Sequence, residues 1–322
     1  MSSATPVAPP PRLAPVWLGR RPHFGIGWLQ GALAALALVL CFQGKARTAY
    51  AVLLFIAVPV LRLTLSAEYR GRVRARLAGF WHELERYPAE PAIPWRATLA
   101  FVVAPAAALL LLRGPAIMSG DSQPVMLQAT SLVRHGSWDL SEYVQDYAGQ
   151  CAYSPDGRLP YFLQAQGQGI YSAYPSGMVM FAVPVAAVAR VLGADLGQTG
   201  VRDRLEKWTA CWVACGCLAL FFLLALHRVG PGPAWVMTAL LATGSVIYST
   251  VGQALWQHGS GELLIALSLL LVVPGERAPA SRMRTALLGA VCVFMAANRP
   301  PDALIAGAIV LFIVWSRKRR AL

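Results

Sequence analysis

Asp121, His258 and Arg299 are the residues of this chain best suited to act together on a phosphate-bearing substrate. A carboxylate can take a proton from an attacking hydroxyl. A guanidinium can neutralise a phosphate through a bidentate contact, and an imidazole can orient or hydrogen-bond either partner. Asp121 opens the longest hydrophilic segment and is the first carboxylate after Glu90. His258 lies among Gln253, Trp256, Gln257 and Glu262, and Arg299 lies between Asn298 and Asp302. The stretch 143–175 adds Tyr143, Tyr147, Tyr153, Tyr161, Tyr171 and Tyr174 beside Gln164, Gln166 and Gln168. Aromatic faces next to amides suit a sugar ring or a lipid neck, and equally an ordinary wet interface.

Each of these residues also has a plainer reading. Asp121 and Ser122 can simply cap the helix whose pattern begins at Gln123. Arg299 can anchor a helix end at lipid head groups. Gln257 and His258 can cap a helix or pair with Glu262, and Trp256 can belong to an interfacial aromatic belt. The run Gly167, Gln168, Gly169 lacks the strand-turn-helix setting of a nucleotide loop. No zinc spacing occurs and no set of metal ligands is nominated. A divalent cation at Asp121 stays open, with Asp139, Glu142 or Asp146 as a second carboxylate.

The elements that must position these groups follow from composition. With 57% hydrophobic and 13% charged residues and a mean hydropathy of +0.52, the chain is predicted to be an integral membrane protein. The net charge of +13 does not point to nucleic acid, because Arg and Lys stand in short clusters beside apolar runs rather than on one basic face. Cys41, Cys211, Cys215, Cys217 and Cys292 sit inside apolar runs, and only Cys151 lies in a polar loop. Neither a disulfide framework nor a metal quartet is implied.

Residues 1–23, rich in Pro, Ala and Ser, read as a flexible cytoplasmic tail. Apolar runs at 24–42 and 50–65 read as two N-terminal transmembrane helices within 24–66, since about 20 residues cross the hydrocarbon core. The basic linker 67–96, with Arg70, Arg72, Arg74, Arg76, Arg86 and Arg96, belongs in the cytoplasm. A span at 97–112 then delivers Asp121 to the outer face, where 123–133 has the pattern of a helix lying along the interface. The external loop runs over 114–207. Within it, 175–192, interrupted by Gly177 and Pro184, reads as a juxtamembrane or re-entrant element rather than a ninth span. Counting it as a span would put the terminal cluster Arg317, Lys318, Arg319 and Arg320 outside. Further spans are predicted at 208–226, 234–248, 263–273, 285–297 and 303–315. The expectation is an all-α bundle of about eight spans, both termini cytoplasmic, with the polar stretches at 253–262 and 298–302 facing outward with Asp121.

In order and spacing these features resemble the polytopic glycosyltransferases of the GT-C superfamily, which includes protein mannosyltransferases and aminoarabinose transferases. The resemblance covers roughly 97–315. It rests on Ser119, Gly120, Asp121 and Ser122 leading into Leu127, Ala129, Ser131, Leu132 and Gly136, similar to the opening of the family's first external loop. It continues in Asp156, Gly157 and Arg158, then Tyr171, Ser172, Tyr174, Pro175, Gly177 and Pro184, with Leu255, Trp256, Gln257, His258 and Asn298, Arg299, Pro300 further on. It implies a GT-C-like membrane core over 97–322, in the plasma (inner) membrane of the cell envelope. It further implies a polyprenyl-phosphate sugar as donor, inversion at the anomeric carbon, and Asp121 as the catalytic base. Arg299, His258, Gln257, Trp256, Tyr171 and Tyr174 are then expected to bind substrate. The chain departs from the pattern in three ways. Ser122 stands where many relatives carry a second acid, two predicted spans precede the core, and the chain runs only a few residues past the sixth core span, the expectation for a short member. The rival expectation is a non-enzymatic polytopic protein, a lipid or solute transporter or a partner subunit. The absence of a visible internal repeat favours the enzyme.

Overall fold

The computed structural model describes residues 67–87, 93–114, 119–147, 159–273 and 281–321. The tail and the two spans predicted over 1–66 lie outside these residues, as do Cys151, Tyr153 and the Asp156 motif. The described residues are mostly helical. In chain order the helices are α1 (Ala67–Arg86), α2 (Trp95–Leu112), α3 (Gln123–His135), α4 (Val179–Val191) and α5 (Thr199–Val229). They continue with α6 (Pro231–Gly244), α7 (Gln257–Val272), α8 (Arg282–Asn298) and α9 (Asp302–Ala321). Two of them, α2 and α5, are long and apolar enough to cross a membrane, while α4, α7 and Asp302–Trp315 of α9 are apolar but shorter.

The centre of the bundle is α5, 31 residues long, about 46 Å at the ordinary helical rise. It packs against α2, α3, α4, α6 and α7. Phe222, Leu218 and Leu226 of α5 meet α2 and α6 in one apolar cluster. Val201, Leu205 and Val213 meet α3 and α4 in a second, and α7, α8 and α9 share a third. The helix begins at Thr199, nine residues before the predicted span at 208, so its first turns stand where a loop was expected.

Pro105 sets the course of α2. It has no N–H to give the Phe101 carbonyl four residues earlier, and the helix widens into a π turn over Leu99–Val103. The indole N–H of Trp235, from α6, donates to the freed Phe101 carbonyl at 3.0 Å. A backbone defect in one helix thus becomes a tie to another.

Three differences from the sequence expectation have local causes. The basic linker contains a helix, α1. Helix α3 forms where predicted, but residues 124–131 are all buried, Gln128, Thr130 and Ser131 included, because α4 and α5 cover it from two sides. A two-faced interfacial helix is therefore not what forms. Within the polar loop an antiparallel hairpin appears, β1 (Leu163–Gln166) with β2 (Gly169–Ser172), Gln166 opposite Gly169. Its two-residue turn places Gly167 at φ +61°, the left-handed conformation that a type II′ turn demands at its first position. Asp139 secures the hairpin, its carboxylate accepting from the Ile170 N–H at 3.0 Å and the Ser141 hydroxyl at 2.6 Å. The Ser141 hydroxyl first, and then the Ile170 N–H, hold Asp139 below the usual carboxylate range. Helix α4 contains Pro184 without breaking, and its 13 residues reach about 20 Å, short of a roughly 30 Å hydrocarbon core.

Large apolar side chains cover the outside of α6, α8 and α9. Leu240 is 65%, Val293 71%, Leu304 80% and Leu311 71% exposed, far more contiguous apolar surface than a water-soluble helix presents. Replacing Trp235 by Phe removes the donor to the Phe101 carbonyl and is expected to cost about 1 kcal/mol, read as a lower thermal midpoint of the detergent-solubilised protein.

Candidate functional site

The site is built around the first three turns of α5, where three ionisable side chains are buried: Arg202 and Glu206 are each 2% exposed and Lys207 is 5%. Burying charge is costly unless it is hydrogen-bonded, and each of the three holds a loop. Arg202 donates to the Gly197 carbonyl at 2.7 Å and the Leu196 carbonyl at 3.2 Å, and its guanidinium lies over the Tyr143 ring at 5.2 Å. Glu206 accepts from the Leu255 N–H at 3.2 Å and is hydrogen-bonded by the Ser122 hydroxyl. Lys207 donates to the Gly252 carbonyl at 2.9 Å and to Gln253 Oε1 at 2.7 Å. Glu206 thereby joins the loop bearing Asp121 to the loop bearing Trp256 and His258.

Asp121 sits in the turn before α3. Ser122 occupies the N-cap position but makes no side-chain cap bond; its hydroxyl is shared between Glu206 and the Ser119 carbonyl, 3.2 Å away. Capping therefore does not account for the pair. Tyr174 donates its phenol to Asp121, and burial together with that hydrogen bond pushes its ionisation up to about 12. The ring of Tyr161 lies directly over Gly120, where an added Cβ would stand 1.8 Å from its hydroxyl. A larger residue before Asp121 would have to displace the Tyr161 ring from this position.

Trp256, His258, Glu262, Arg299 and Asp302 line a cavity of about 390 Å³, floored by Val251, Ile265 and Ile305. The Trp256 and His258 rings are nearly parallel, 5° apart in plane and 6.4 Å between centroids. Arg299 reaches Asp302 at 3.9 Å, and the other Asp302 oxygen and the Trp256 indole N–H have no hydrogen-bond partner among the described residues. His258 is exposed at the mouth, ahead of the apolar stretch of α7. Burial of its ring and the Arg299 charge push its ionisation down, with Asp302 and Asp121 pulling the other way. Asn298, next to Arg299 in the chain, is fully buried and accepts from the Ser260 hydroxyl at 3.1 Å. It packs so tightly on Gly177 that an added Cβ there would lie 2.2 Å from its oxygen.

The structure thus brings Trp256, His258 and Arg299 to one cavity and sets Tyr174 on Asp121, whose charge reaches His258. Tyr171 does not join them; it belongs to β2, opposite Gln164, and folds over Gly169. Gln257 starts α7 without capping it, and its side-chain amide is buried with no partner among the described residues. Asp139 secures the hairpin, and Glu142 pairs with Arg134 at 2.7 Å and with His135 at 3.3 Å. No three His, Cys, Asp or Glu side chains gather as a metal site among the described residues; the Asp146 side chain lies outside them. Sequence reasoning missed Glu206, Lys207 and Ser260. Arg202, Glu206 and Lys207 lie four and five residues apart, and extending the helical period of the following apolar run back through them puts them on one side of α5.

Comparison of the chain with protein-family models, with curated proteins and with solved structures returns no match.

Replacing Glu206 by Ala strands the Leu255 N–H in the interior and leaves the Ser122 hydroxyl only its Ser119 partner, and is expected to destabilise the protein by about 1–3 kcal/mol, whereas Glu206→Gln, which keeps an acceptor, costs less; thermal unfolding of the two variants side by side measures the difference. Ultraviolet titration of the phenols gives a second check. Tyr174→Phe should remove one phenol that ionises near 12 and leave the tyrosines titrating near 10 unchanged, while loss of a phenol from the ordinary range instead would dissolve the Tyr174–Asp121 contact.

Proposed function

We propose that the chain is a multi-pass membrane glycosyltransferase that moves a sugar from a polyprenyl-phosphate donor to an acceptor hydroxyl on the extracytoplasmic face, with inversion. The observation that carries this reading is the convergence of three separated stretches at one place: His258 lines one cavity with Arg299 and Asp302 and feels their charges together with that of Asp121. The membrane setting is supported by α2 and α5 and by the exposed apolar sides of α6, α8 and α9. Helix starts and ends near the cavity, tied by Ser122 to Glu206, Gly252 to Lys207 and Ser260 to Asn298, suit an up-and-down bundle. The basic clusters near His227, Arg284 and the C-terminus then face the cytoplasm.

In this reading Asp121 takes the proton of the acceptor hydroxyl, with Tyr174 holding the carboxylate in place. The hydroxyl oxygen bonds to the anomeric carbon from the face opposite the phosphate, and the bond between that carbon and the phosphate oxygen breaks. Its electron pair leaves on the polyprenyl phosphate. Arg299 exchanges its long contact with Asp302 for the leaving phosphate, and the Trp256 indole N–H and His258 supply further donors. A cavity of about 390 Å³ falls in the range of small-molecule sites, with a floor apolar enough for the first isoprene unit.

Sugar transfer in proteoliposomes, with native mass spectrometry of the copurifying lipid, tests the proposal. Asp121→Asn should slow transfer by about 10²–10⁴-fold with the donor still bound. Arg299→Ala should lose the polyprenyl-phosphate species. Transfer by Asp121→Asn at the wild-type rate would remove the catalytic assignment, and solute flux untouched by either change would favour the transporter.

A further inference from the structure

Helix α1 takes no part in the site, and its two halves meet different surroundings. Val73, Leu77, Phe80, Trp81 and Leu84 follow one stripe at helical spacing. At the C-terminal half the stripe packs on the protein: Leu84 is fully buried, the partly buried Phe80 packs on the central cluster, and Trp81, though 36% exposed, meets Phe101 edge-on at 5.8 Å. At the N-terminal half the stripe opens outward, with Leu77 41% exposed. Among the described residues a Cβ added at Gly71 meets nothing within 4 Å.

The charges there are one-sided. Arg72, Arg74 and Arg76 are exposed, and Glu68, the one acid of this half of the helix, is 3.6 Å from Arg72. Arg74 and Arg76 flank the open stripe on its two sides. The helix packs on the first turn of α2, where Trp95, 61% exposed, lies under the Arg96 guanidinium at 5.1 Å. An exposed tryptophan beside an arginine at the start of an apolar helix marks head-group level.

We propose that the N-terminal half of α1 lies on an anionic phospholipid surface, with Arg74 and Arg76 against head-group phosphates and Leu77 in the acyl boundary. A strip on which cationic side chains flank an apolar one suits a lipid sheet. The proposal rests on the membrane setting of the protein and is independent of the glycosyltransferase chemistry.

The test reconstitutes the full chain in nanodiscs of phosphatidylcholine alone or mixed with phosphatidylglycerol and follows amide exchange over 69–79. Anionic lipid should slow exchange by roughly fivefold for each arginine engaged, an effect that high salt reverses and that Arg74→Glu with Arg76→Glu abolishes. Equal exchange in the two lipids, or slowing that survives the charge reversal, overturns the lipid contact while leaving the membrane setting intact. Failure of the chain to enter either nanodisc overturns both.

Discussion

Two adjacent buried polar side chains on α5, Glu206 and Lys207, hold the site together. Neither can stay in the interior without polar partners, and the partners available are backbone and side-chain groups of other segments: Leu255 and Ser122 for Glu206, Gly252 and Gln253 for Lys207. The demand to satisfy these groups therefore fixes where two loops lie relative to a rigid helix. Asp121 follows from the position of Ser122, and Trp256 from that of Leu255. Because such networks are costly when half satisfied, the loops gain a definite position that their own composition does not supply.

The molecule has a division of labour along its length. At one end the interior is polar and closely fitted, with Asn298 against Gly177 and Asp302 against Gly261. At the other end, where Tyr87 stacks near His227 at 4.8 Å, contacts are largely apolar and arginines face outward. Between them the outer helices turn leucine, valine and phenylalanine toward their surroundings.

Much of this was legible in the sequence. Hydropathy located α2, the apolar part of α5 and α6 to α9 within a few residues, and the polar breaks between them located Asp121, His258 and Arg299 as neighbours. What composition could not reveal was which polar residues go inside. Arg202, Glu206 and Lys207 look like a solvated loop because charged residues usually are, and only their contacts with Leu196, Leu255 and Gly252 make them core. The hairpin was missed for a related reason. Leu163 to Ser172 has too few apolar residues to alternate, and its pairing depends on Gly167 and on Asp139, more than twenty positions upstream. Tyr171 and Tyr174 are alike as sequence; chain direction after the hairpin sends one back over β2 and the other to Asp121.

The 31-residue length of α5 also imposes an order on biogenesis. Ser122 has been synthesised before Glu206 appears, but Gly252, Gln253 and Leu255 emerge only 45 to 49 residues after the groups they satisfy. Until the chain has been made as far as Leu255, the Glu206 and Lys207 side chains lack partners that they have in the folded protein, and burying them earlier would leave polar groups half answered. The leading turns of α5 therefore reach their final surroundings only after the whole of α6 exists.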